Sequence, residues 1–199
     1  MHNKARGILF ALILVMLIPA GVSALATYNG GQVTIGQPVP DDVFASGGTI
    51  DVNAPVESLI VAGGTINLNA PVKGDVIAAG GTINVNGDIG GKLVAAGGTI
   101  NVNSGIGTNA VLAGGTVNIA QDATVGRDVM ISGGQVSSAG NIAGNLTVRA
   151  RTFENTGTAG QVDLELSKPR GEFSRIFTIF GIIFTIGLLI LGLVLLHVA

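Results

Sequence analysis

Gly80-Gly81-Thr82-Ile83-Asn84-Val85-Asn86 returns 17 residues later as Gly97-Gly98-Thr99-Ile100-Asn101-Val102-Asn103. Working outward from this pair, weaker copies open at Gly30, Gly47, Gly63, Gly114 and Gly133, and the successive spacings are 17, 16, 17, 17, 17 and 19. A near-constant period of this length marks a stacked repeat, in which each copy builds the same structural unit.

Aligned on their glycines, the copies form columns. Ile50, Ile66, Ile83, Ile100, Val117 and Val136 share one column, all β-branched. Two residues on come Val52, Leu68, Val85, Val102 and Ile119, with Ser138 as the exception. Polar residues stand between and beyond them: Asp51, Asn67, Asn84, Asn101 and Asn118, then Asn53, Asn69, Asn86 and Asn103. This alternation with period two reads as a strand with one buried face. A second short strand carries Val43, Leu59, Val76, Leu93, Ala110 and Val129, then Ala45, Val61, Ala78, Ala95, Leu112 and Ile131. A lone inward position closes each copy at Val56, Val72, Ile89, Ile106, Val125 and Ile142. Glycine and asparagine between the segments are expected to turn the chain sharply.

The fold class that follows is all-β: a right-handed parallel β-helix of about seven rungs of roughly 17 residues. No rung buries its own apolar side, so stability builds through neighbours. A helix conflicts with the period and with repeated Gly-Gly pairs. A β-sandwich accommodates alternating strands, but it does not explain one residue type recurring in one column. The right hand is the general sense of crossovers between parallel strands.

Composition excludes much chemistry. The 199 residues include 32 glycines and no cysteine or tryptophan, and only 11% are charged against about 25% in ordinary domains. Without cysteine there is no disulfide framework, thiol nucleophile or thiolate metal site. The only histidines, His2 and His197, lie outside the repeats. A net charge of −2 gives no electrostatic basis for nucleic-acid binding.

The two ends of the chain set an expected location. Lys4 and Arg6 precede an apolar run from Gly7 to Val22, and Ala24-Leu25-Ala26 places small residues before a cut after Ala26. Residues 1–26 therefore read as a secretory signal peptide. Residues 27–166 form the repeat domain, with an atypical terminal rung that includes Val162-Asp163-Leu164-Glu165-Leu166. Residues 167–175 read as a linker. Ile176 to Val198 carries no formal charge over 23 residues, long enough as a helix to span about 30 Å of hydrocarbon. A C-terminal transmembrane helix is thus expected, with the repeats exported. Lys168, Arg170 and Arg175 precede this span on the outer side, against the positive-inside tendency.

Rungs such as Val76-Ile77-Ala78-Ala79-Gly80-Gly81-Thr82-Ile83-Asn84-Val85-Asn86-Gly87-Asp88-Ile89-Gly90-Gly91 resemble the bactofilins, polymer-forming proteins of prokaryotes. The resemblance covers roughly Gly30 to Val148. It implies a short β-helical domain that assembles into filaments without nucleotide. The export signal and the C-terminal apolar segment depart from the family's usual cytoplasmic setting.

No residue pattern points to catalysis, and no cofactor or metal is expected. Calcium-binding nonapeptide rolls need a repeated loop Asp, whereas Asp51 stands alone in its column. Hexapeptide acyltransferases need a six-residue period and a histidine base, both absent from the repeats. Asp75, Lys92, Asn109, Asp128 and Asn145 share a corner column in which Asp75 and Lys92 form a surface pair on adjacent rungs. Asn145-Leu146-Thr147 matches a glycosylation sequon. The array Thr82, Asn84, Asn86, Thr99, Asn101 and Asn103 suits hydrogen bonding along the stack, and it also offers a regular polar face to glycan. Val33 and Ile35 at one end and Phe153 near the other are candidate assembly residues, because a solenoid end exposes apolar interior unless covered. The expected function is that of a non-enzymatic, self-polymerising scaffold of the cell envelope, membrane-tethered through its C-terminal helix. The alternative is a β-helical adhesin or carbohydrate-binding module.

Overall fold

A computed structural model of the chain describes residues 26–166. The expected transmembrane span 176–198, the linker 167–175 and the signal peptide 1–26, apart from Ala26 itself, lie outside the described residues. Among the described residues no helix is long and apolar enough to cross a membrane.

The strands are β1 (Ala26–Ile35), β2 (Val39–Val52), β3 (Val56–Leu68), β4 (Val76–Val85), β5 (Leu93–Val102), β6 (Ala110–Ile119), β7 (Thr124–Val125), β8 (Val129–Ser138), β9 (Asn141–Ile142), β10 (Leu146–Asn155) and β11 (Val162–Leu166). Nine of them stack in the order β1-β2-β3-β4-β5-β6-β8-β10-β11, and every pairing is parallel. Parallel neighbours joined in chain order make a β-solenoid, and nine stacked strands make eight turns. The glycine pairs suggest about seven because the last full rung has none: Ala150 pairs with Gly133 in the glycine column.

The two short strands expected in each turn are one continuous strand that passes through the glycine pair. Inward parity changes at that point. Val76 and Ala78 are buried before it, and Ile83 and Val85 after it. Ala78 and Ile83 are five residues apart, an odd step that a flat strand would send to opposite faces. The chain must therefore bend at Gly80-Gly81. A third inward segment closes the turn through parallel bridges linking Val56, Val72, Ile89, Ile106 and Val125, then through the β7–β9 pair. Each inward column is at most a few per cent exposed, and each β-branched side chain sits on another of similar shape.

No described residue has a positive φ, so the glycines are not selected for left-handed backbone. Close approach selects them instead. A Cβ built on Gly63 would lie 2.7 Å from the Gly47 carbonyl oxygen and 3.0 Å from Ile50 Cδ1; at Gly80 the same contacts recur with Gly63 and Ile66 at 2.7 and 3.0 Å. In this first glycine column the carbonyl contact lengthens to 3.1 Å at Gly114 and 3.3 Å at Gly133, where Val136 Cγ2 at 2.8 Å is the nearer atom; the second column stays close, at 2.8 Å for Gly134. One rung further on the first column accepts Ala150, which is fully buried.

Irregular spacings are absorbed outside the inward columns. The 16-residue spacing coincides with a register shift between Val39 and Asp42 where β2 pairs with β3. The 19-residue spacing places its two extra residues in a turn at Gln121-Asp122, closed by the Ala123 N–H donating to the Ala120 carbonyl at 3.1 Å.

Two predictions follow from this packing. Gly81→Ala directs a methyl group at the Gly64 carbonyl oxygen, 2.8 Å from the built Cβ, whereas Gly31→Ala meets nothing within 4 Å. The first should destabilise by about 1–3 kcal/mol, as overpacking does. The second should be neutral or stabilise by about 0.5 kcal/mol through the unfolded chain. Urea unfolding followed by circular dichroism compares them, and equal effects would contradict the close-approach account. Deleting Gln121 and Asp122 together should restore an ordinary turn and leave cooperative melting intact, as should deleting the whole period Gly80–Ala96. Deleting Gly80 alone drives Ile83 and Val85 outward, and thermal melts should rank it the most damaging of the three.

Candidate functional site

The three outward sides of the solenoid differ in chemistry. On the second half of each strand, the Thr/Asn array stands where the columns place it, and most of its amides are already engaged. Asn84 Nδ2 donates to Asn67 Oδ1 at 2.8 Å and Asn101 Nδ2 to Asn84 Oδ1 at 2.8 Å, while Asn67 Nδ2 donates to Asp51 Oδ1 at 2.7 Å. A parallel ladder runs through Asn53, Asn69, Asn86 and Asn103 with steps of 2.8–2.9 Å. A carboxylate only accepts hydrogen bonds, so Asp51 sets the direction of the first ladder: every amide donates toward the N-terminal end. Thr82 and Thr99 pair rung to rung beside the ladders. Among the described residues their hydroxyls have no hydrogen-bond partner.

The corner column stabilises backbone as well as carrying charge. Asp75 Oδ1 accepts the Lys92 N–H at 2.9 Å, Asn109 Oδ1 the Asp128 N–H at 3.2 Å, and Asp128 Oδ1 the Asn145 N–H at 2.9 Å. Each side chain thus satisfies a backbone donor one rung on that the turn would leave unpaired. Lys92 Nζ also lies 3.3 Å from Asp75 Oδ2, with both side chains about half exposed. Such a pair contributes at most about 1 kcal/mol. Asn145 is exposed and stands in the corner just before β10.

The third side holds an open groove of about 400 Å³ between Asp88 and Ala143, floored by the backbones of Gly90, Gly107 and Gly126. Its one carboxylate, Asp88, accepts the Gly105 N–H at 2.9 Å. Thr124 and Asn141 line the same groove, and Asn141 Oδ1 accepts the Thr158 hydroxyl at 2.8 Å. Among the described residues no three His, Cys, Asp or Glu side chains converge on a common point.

The first side was missed by sequence reading. Phe44, Ile60, Ile77, Val94, Val111 and Met130 pair rung to rung on its outer surface. Ile60, Ile77, Val111 and Met130 are 41–57% exposed. The signal was present as a column. It was hidden because the residues on either side are also apolar, which erases the alternation.

The candidate assembly residues occupy unequal positions. Val33 and Ile35 are buried, at 6% and 1% exposure, in the first turn of the core. Phe153 continues the inward column after Val136, where it is half-buried against the core. Among the described residues β11 covers only the first half of β10, and Val162 and Leu164 are 42% and 41% exposed. No family model, curated protein or solved structure matches the chain.

The Lys92 N–H holds the Asp75 carboxyl below the usual carboxylate range; burial opposes it, and the Lys92 side chain adds a smaller lowering effect. A depressed folded value means that the contribution is complete above the unfolded pKa of about 3.9 and is lost as pH falls through the lower folded value. Asp75→Asn keeps an acceptor but removes the titration. Acid unfolding of this variant should show a shallower loss of stability below about pH 4 than the parent; superimposable acid limbs would remove Asp75 from the account.

Proposed function

We propose that the chain is a non-enzymatic, self-assembling scaffold protein, a right-handed β-helix of bactofilin type that is exported and tethered to the envelope membrane by its C-terminal segment. The observation that supports this reading is that, among the described residues, the stack ends at β11 with an unpaired strand edge. β1 and β11 terminate the stack among the described residues, so each has a sheet neighbour on one side only. Val162 continues the column that begins at Ala26 and Val43 and runs to Leu146. The same parallel pairing extends from β11 of one copy to β1 of the next without a change of register rule. A head-to-tail contact of this type does not close on itself and generates a filament.

Burying the remaining surface of Val162 and Leu164 adds about 1 kcal/mol each, since less than half of each side chain is exposed. Phe153 adds apolar area on the same end. Ile35 makes a poor probe of assembly, because a carboxylate at a 1% exposed position would disrupt the first turn itself.

A second reading, a glycan-binding module, is favoured by the unpartnered Thr82 and Thr99 hydroxyls, held at rung spacing beside rigid amide ladders. Negative-stain electron microscopy and light scattering of the purified chain separate the two. Filaments without added ligand are expected, and Val162→Lys with Leu164→Lys should shorten or abolish them while the β spectrum stays intact. Asn84→Ser opens one ladder but should leave filament length unchanged. Monomers retained on envelope glycan, with retention lost on Asn84→Ser, would sink the scaffold reading in favour of the binder.

A further inference from the structure

The apolar first side is at odds with a solvated sheet face, which normally alternates apolar-in with polar-out. Its neighbouring outward column explains what it fits. That column runs Asn29, Ser46, Ala62, Ala79, Ala96, Ala113, Ser132, Arg149 and Glu165, with Ala96 already 8% exposed, and its six central residues are the same read in either direction. A twofold axis along the strands lays each column against its own reverse, so this central run of small residues would meet small residues.

We propose that this face docks against the same face of a second copy, the two stacks running antiparallel about a twofold axis between the rungs of Ile77 and Val94. In this arrangement Ser46 meets Ser132, Ala62 meets Ala113, and Ala79 meets Ala96. The large side chains match as well: Phe44 faces Met130, Ile60 faces Val111, and Ile77 faces Val94. Each pair joins a larger residue to a smaller or more adaptable one, so the gap between the faces stays even. The alanine column keeps the surface flat enough for sheets to approach to about 10 Å.

Charge is complementary at the centre of the rim. Asp75 and Lys92, already 3.3 Å apart within one copy, face Lys92 and Asp75 of the other and complete a ring of alternating sign. Asp42 and Asp128 meet at the two exposed ends of the rim, where solvent screens their repulsion. Six rungs at about 4.8 Å cover roughly 29 Å, and two columns with the rim are roughly 17 Å wide, so the pair buries about 1,000 Å² in total. That area lies at the transient end of specific interfaces, and association should be concentration-dependent. The contact leaves both ends of the stack uncovered and does not depend on end-to-end assembly.

The chain has no cysteine, so single introduced thiols report on this geometry without background. Ala62→Cys and Ala113→Cys variants of the full chain are mixed and treated with a bismaleimide that reaches about 10 Å, the face-to-face sheet spacing. In the proposed pair Ala62 of one copy faces Ala113 of the other, while two Ala62 positions are offset by three rungs, about 14 Å along the stack. The mixed product should exceed either homodimer several-fold. Ile77→Lys, at an exposed position that folding does not need, should abolish it, and Val111→Lys provides an independent second disruption. Val162→Lys should leave the mixed product unchanged, which separates this contact from the end-to-end one. Homodimers equal to or above the mixed product, no product at all, or persistence of the product in both lysine variants would overturn the proposal.

Discussion

Every side chain in the solenoid stands about 4.8 Å from its counterpart on the next turn, and almost everything else in the structure is a response to that spacing. At this distance a residue's main neighbour is its own column, not its own strand. Isoleucine packs on isoleucine at 50, 66, 83 and 100. Asparagine amides reach the amide below. Where the backbone bends toward the preceding turn, no Cβ fits against the carbonyl beneath it, and glycine recurs. The repeat in the sequence is therefore a direct record of stacking contacts. Its glycine pairs end at Gly133-Gly134, and Ala150 takes the next place in the first column.

That logic also accounts for where the chain tolerates irregularity. Inward columns lose register if a residue is added or removed, so length changes collect at the Val39–Asp42 shift and the Gln121-Asp122 turn. Ser138 is the exception within the core: it is 1% exposed, and its hydroxyl has no partner among the described residues. It stands one rung before Asn155, close to the half-buried Phe153, on the part of β10 that β11 does not pair with. Ser104, by contrast, is buried in a corner but donates to the Gly87 carbonyl at 2.8 Å.

The columns were legible because parallel stacking makes sequence period and spatial neighbour the same thing. All six inward residues expected to close the turns, from Val56 to Ile142, are buried. The eighth turn was less legible because Ala150-Arg151 replaces the glycine pair; the carbonyl approach lengthens before Ala150 but stays at 2.8 Å at Gly134, so the gap does not explain Arg151. The apolar outer column was obscured for a different reason. Phe44, Ile60 and Ile77 sit among Val43, Leu59 and Val76, and a run of apolar residues does not reveal which parity faces out. The amide array was legible as a column, but its division between internal bonding and free surface was not. It rests on rung-to-rung hydrogen bonds, in one column based on the Asp51 carboxylate and in the other on the Asn53 amide.

Asp51 has a further consequence. Backbone dipoles in a sheet largely cancel, because successive groups alternate in direction. The side-chain amides of Asn67, Asn84 and Asn101 do not alternate. All donate toward the same end, so their dipoles add along the axis of the stack. The positive pole of this row points at the N-terminal turns and meets the Asp51 carboxylate, much as an acidic residue meets the start of a helix. A solenoid of nearly interchangeable rungs thereby acquires an electrical polarity. Its two ends differ in field as well as in shape, and an approaching charged group would distinguish them before any contact is made.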